Sequence, residues 1–273
     1  MTASAQRYSS RRSRALPSSV ALMVAPLAAF ISADAAAFLP SSHCLLGASG
    51  QRQTGVIMRR RDFPPVLQAL VPTQESPTGQ DDVNVGVEQL VRRGMSRFAE
   101  GRVQDSLKDF NTAMERRPSL SPFLWQRGIS LYYVGDYAEA AAQFRRDVSV
   151  NPSDTEEAIW AFLSESRLYG TDKARESLLT INGERRPLLQ LVYESLRDGG
   201  DSPRLDQLKR IADTQRGGAS FYASLYLGLL YEAMGDVGES RRWIVRAAES
   251  PYASSGDYMG AVAKVHRMAR GWW

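Results

Sequence analysis

Few residues in this chain could do chemistry. Its 273 residues include two histidines, His43 and His266, and one cysteine, Cys44. A lone cysteine excludes an intramolecular disulfide framework and a cysteine-based structural zinc site. His43 and Cys44 both fall within residues 1–61, so His266 stands alone in the remainder. One histidine cannot form the His-His pair of an HExxH metal centre. Ser-His-Asp hydrolysis would have to use His266, in the segment AKVHRMAR. That segment has the spacing of an amphipathic end-helix, where a histidine packs or faces solvent. A hydrolase using His266 is kept only as an alternative.

The carboxylate pairs Asp81-Asp82 and Glu156-Glu157 fall near expected helix starts, where acids meet the positive end of the helix dipole. No Gly-x-Ser-x-Gly elbow, Walker loop or Gly-x-Gly-x-x-Gly turn occurs. Gly199-Gly200 and Gly217-Gly218 read as helix-break turns. Arg145-Arg146, Arg185-Arg186 and Arg241-Arg242 are interleaved with acids and read as solvated faces. No catalytic, cofactor or metal site is expected, and no cofactor.

Composition suits a globular protein: 43% hydrophobic and 23% charged residues. The net charge of +4 is unevenly spread. Eight of the 34 basic residues and one of the 30 acids lie in residues 1–61, leaving 26 basic against 29 acidic residues beyond. The basicity belongs to the N-terminal stretch, so nothing argues for nucleic-acid binding by the rest.

That stretch reads as a leader. Arg7 to Arg14 make a basic start, and Val20 to Ile31 an apolar run too short to span a bilayer comfortably and broken by Pro26. Small residues follow at Ala33, Ala35 and Ala37. Residues 1–37 thus resemble a secretory signal peptide. Ala35 to Pro40 (AAAFLP) resembles the Ala-Phe-x-Pro cleavage motif of bipartite plastid leaders in algae with secondary plastids. Residues 38–61 contain no acid, as expected of a transit peptide. The stroma is the expected location, since residues 63–71 are too short and Pro-rich for a second lumenal signal. A secreted or endomembrane-lumen protein with a basic tail is the alternative. Residues 62–81 read as a Pro-rich linker, and no integral membrane segment is expected in the mature chain.

From residue 82 to residue 270 the apolar spacing is helical, and it recurs. Gly94 and Gly101, Gly128 and Gly135, and Gly228 and Gly235 are each seven apart. Pro118 and Pro152 each lie 24 residues after the first glycine of their pair, and the pairs are 34 apart. Gly94, Gly128 and Gly228 fall in mid-helix, where glycine is unfavourable unless a neighbouring helix must come close. Gly101, Gly135 and Gly235 fall where a helix should end in the left-handed conformation. The units are 87–120, 121–154 and 221–252, with a degenerate helical stretch 155–219 between them and a closing helix over 255–270. Within 155–219 the pairs 156–170 with 172–179, and 186–199 with 203–213, are expected. About eleven helices result, and no strand.

This pattern resembles the tetratricopeptide repeat (TPR) family, most closely in GDYAEAAAQF (135–144). The resemblance implies an all-α solenoid of helical hairpins, a right-handed superhelix. Trp160, Phe162, Leu163, Phe221, Tyr222, Tyr226, Gly228, Tyr231, Gly235 and Asp236 also resemble the NlpI-like TPR lipoproteins of bacteria and their plant and algal plastid relatives, whose bacterial member is an adaptor. Cys44 follows Ser42-His43 rather than a lipobox.

In the TPR family the first helix of each pair lines a concave surface. That implies a groove made by Val91, Met95, Phe98, Trp125, Ile129, Tyr132, Tyr133, Ile159 and Leu163. The Lys/Asn clamp of chaperone-binding members is absent. An apolar, aromatic groove suits a protein or peptide segment laid along it. The expected function is a non-enzymatic scaffold or adaptor, extending to assembly or turnover of plastid protein complexes. The alternative is a structural homodimer whose groove is self-occupied, by a neighbouring segment or a second copy.

Overall fold

The computed structural model describes residues 85–199 and 203–273. The leader, the linker, Asp81-Asp82 and Gly200 lie outside the described residues. Within them the chain is all-α and contains no strand. The helices are α1 (Val87–Ala99), α2 (Val103–Arg116), α3 (Trp125–Val134), α4 (Tyr137–Val150), α5 (Thr155–Tyr169), α6 (Thr171–Glu176), α7 (Pro187–Asp198), α8 (Pro203–Thr214), α9 (Gly217–Ala233), α10 (Val237–Glu249) and α11 (Tyr258–Ala269). Short 3-10 turns follow α2 (Pro118–Phe123) and α10 (Pro251–Ser254).

Three helix pairs, α1–α2, α3–α4 and α9–α10, are built alike. Each turn has a glycine at positive φ: Gly101 at 80°, Gly135 at 85° and Gly235 at 84°. The amide after it closes the helix by bonding five residues back, as from Asp136 to the Leu131 carbonyl at 3.0 Å. Asp136 and Asp236 then cap α4 and α10 by accepting from Glu139 and Glu239 amides. The mid-helix glycines admit a large side chain from the partner helix. A Cβ on Gly128 would lie 2.6 Å from Phe144 Cζ, and Gly94 meets Phe110 and Gly228 meets Ile244 in the same way. The spacing is sixteen residues each time.

The middle departs from its expected outline. The helix expected over 172–179 stops at Glu176. Residues 177–186 form no regular element, and Gly183 sits at a φ of 88°. Thr180 and Ile181 are β-branched and weak helix formers, and Pro187 starts the next helix.

Helix α9 is the central element. Every residue from Phe221 to Tyr231 is buried. A helix apolar all round needs cover on all sides, and α9 packs on α5, α7, α8 and α10. Most of the core forms one cluster from Phe98 to Trp272; Leu90, Val91, Phe110, Ala113, Leu120 and Leu124 form a smaller one. The array also bends back on itself: α11 packs against both α10 and α1.

Candidate functional site

Helices α1, α3 and α5 carry all nine expected groove residues. Phe98, Trp125, Ile129, Tyr132, Tyr133, Ile159 and Leu163 come together in the main cluster, with Met95 packed against it. Val91 does not join them and sits in the smaller cluster with Leu90 and Phe110.

The expected open groove is not there. Phe98, Ile129 and Ile159 are fully buried, and Tyr132 is 2% exposed. The chain's own C-terminal helix covers part of this face, at Phe98, Trp125 and Tyr133, while Tyr132 is tied to α9 through Glu232. The Tyr258 ring stacks on Phe98 and meets Trp125 edge-on, both at 5.2 Å between centroids. The Tyr133 hydroxyl lies 3.1 Å from His266 Nδ1, and the two rings meet at 90°. The Trp272 ring also packs on His266, 5.5 Å between centroids. Helical periodicity tells which side of α1 and α3 a residue takes, but not what will cover that side. With α11 in place, a second copy is not needed to bury the aromatic face.

A polar lock lies beneath this contact. Glu232, on α9, accepts from the Tyr132 hydroxyl at 2.9 Å and from Arg270 at 2.5 Å. Arg167 lies 3.9 Å and His266 Nε2 3.7 Å from the same carboxylate. Burial pushes Glu232 upward, but Arg270, His266 and Arg167 together hold it far below the usual carboxylate range. Burial also depresses His266, to about 4, against the pull of Glu232. A fully buried, neutral imidazole facing a tyrosine and a tryptophan is a packing group. Substrate could not reach it as a base without displacing α11.

A second charged cluster sits where α4 meets α5. Asp154 caps α5, and Glu156 accepts from Arg186 at 2.9 Å and from the Tyr226 hydroxyl at 2.6 Å. Arg186 also pairs with Glu184. The solvated face expected at Arg185-Arg186 is therefore corrected for Arg186, which binds a fully buried carboxylate. Burial raises Glu157, as do the charges of Asp154 and Asp147; burial likewise raises Asp147. The Asp147–Glu157 pair keeps a proton at neutral pH. Among the described residues no group of three potential ligands could hold a metal ion, and no helix is long and apolar enough to cross a membrane.

Glu232, Arg270, Tyr258 and Tyr226 were not expected at the site. One signal for them was readable: a run such as FYASLYLGLLY must be buried on all sides, so its polar groups need internal partners. A scan against known protein families finds no match for this chain, and a comparison with the curated proteins finds none either.

Proposed function

We propose that this chain is a non-enzymatic scaffold of the tetratricopeptide type that binds protein partners on its concave face. One observation carries the reading. The concave face already holds an amphipathic helix, α11, by aromatic packing and one buried ion pair. Helix-in-groove recognition uses the same chemistry between chains. The plastid stroma is the proposed location, on the strength of the leader's pattern alone, and a part in assembling or turning over plastid protein complexes follows from that location. The weaker likeness to NlpI-type adaptors suggests the same class of role.

Site-resolved crosslinking in intact plastids tests this. A photo-crosslinking side chain at Met95, half-buried on the concave side, is compared with one at the well-exposed Lys108 of α2. Adducts to a defined partner from Met95 and not from Lys108 are expected. Absence of adducts at Met95, or the same adducts from both positions, would remove the concave face from the reading.

A further inference from the structure

We propose that α11 is a removable tenant of the concave face, and that the partner is an amphipathic helix of another protein with a defined polar signature. An aromatic residue sits near its N-terminal end, apolar residues continue the buried face as Val262, Val265 and Ala269 do in α11, and an Arg or Lys follows about twelve residues later, about 18 Å along the helix. This rests on the reading above and names the partner's chemistry.

The signature is read from the seat. One end is an aromatic slot, where Phe98 and Trp125 hold Tyr258. The other end is Glu232, a carboxylate only 8% exposed. A replacement helix without a cation there would leave that carboxylate short of its closest counter-charge, which is strongly unfavourable in a low-dielectric site. Charge complementarity therefore selects a basic residue at one position and excludes helices that lack it.

Two further observations favour removal. The link into α11 is short and exposed: Ser254, Ser255 and Gly256 face solvent, and Gly256 has a φ of 92°. A swing there bends only exposed backbone, though it lifts the buried face of α11, Tyr258, Met259, Val262 and Val265 included, off the core and breaks the bonds of Tyr222 and Tyr252 to Asp257. The tenant is also imperfectly matched. His266 is fully buried, yet its Nε2 lies 3.7 Å from Glu232, beyond hydrogen bonding, and has no other partner. A helix with an apolar or fully paired group at that place fits better.

Complementation in the full chain tests this. The probe is a fluorescent synthetic peptide with the sequence of residues 257–273. The hosts are wild type, Tyr258→Ala and Arg270→Ala, with helix content followed by circular dichroism. The peptide should bind each variant at least tenfold more tightly than wild type, and a peptide carrying Arg270→Ala should lose at least tenfold on the Arg270→Ala chain. The proposal is overturned if both variants stay helical and bind no better than wild type, or if the two peptides bind alike. It is also overturned if both variants unfold and the peptide does not restore them, or if light scattering shows wild type to be a dimer exchanging its own α11. Failure here with the Met95 crosslinks intact would make α11 a permanent part of the core and leave the protein-binding reading standing.

Discussion

Tyr226 donates its hydroxyl proton to Glu156 across 2.6 Å, joining α9 to the start of α5 over 70 positions of chain. Arg186 occupies the other carboxylate oxygen. Burial raises Glu156 to about 7 even against these two partners. Tyr226→Phe therefore removes a donor that matters most when Glu156 is ionised. A loss of about 1–3 kcal/mol is expected, larger at pH 8 than at pH 6. Urea denaturation at the two pH values measures it, and equal losses would contradict the assignment.

Gly128→Ala should be costly although alanine favours helix. The new methyl would sit 2.6 Å from Phe144 Cζ and 2.8 Å from Cε1. Overpacking of this kind costs about 1–3 kcal/mol. Gly128→Ala with Phe144→Leu should recover part of it. A double variant no more stable than Gly128→Ala would show that the close approach is not the cause.

The acid side of the stability profile belongs to the polar lock. His266 is depressed from 6.5 to about 4. Above pH 6.5 neither folded nor unfolded chain protonates it. Below that, the unfolded chain takes up a proton that the folded one refuses, so stability falls with pH. Each unit is worth about 1.4 kcal/mol, so the window down to about pH 4 removes about 3 kcal/mol. Glu232, held low by Arg270, His266 and Arg167, adds to the loss below 4.5. His266→Leu should flatten the slope between pH 6.5 and 4.5, read from melting temperatures across that range.

The alkaline side belongs to Asp147 and Glu157. Both are raised by burial and by neighbouring carboxylates above the 3.8 and 4.5 of free side chains. Their folded-state protons stabilise the fold fully below those values, and that contribution is lost as pH rises through the raised values. Asp147→Asn should be nearly neutral at pH 5 and more stable than wild type at pH 9. A variant less stable than wild type at pH 9 would show that the carboxylate is held by partners rather than strained by burial.

Gly128 and Gly135 were legible because each does a backbone task that a neighbouring residue cannot share. The face of α3 that carries Trp125, Ile129 and Tyr133 was legible from its period. What covers that face was not. Tyr258 lies 133 positions beyond Trp125, and no local pattern joins them. Arg186 looked solvated because its sequence neighbours include Arg185 and Glu184, yet besides Glu184 it binds the fully buried Glu156, 30 positions away. The early end of α6 was hidden for another reason: Leu178 and Leu179 keep a helical apolar spacing and pack against the core without being helical.

Because α11 meets α1, neither end of the array is free to fray. An open stack of helix pairs can melt from its tips, each unit leaning only on its neighbours. Here the first of the described helices to be synthesised waits for the last. About 160 residues separate Phe98 from Tyr258, or roughly 10–30 s of synthesis at about 5–20 residues per second. Through that interval the Phe98 and Trp125 rings have no lid, and the nascent chain presents a chaperone with the surface that the finished protein conceals.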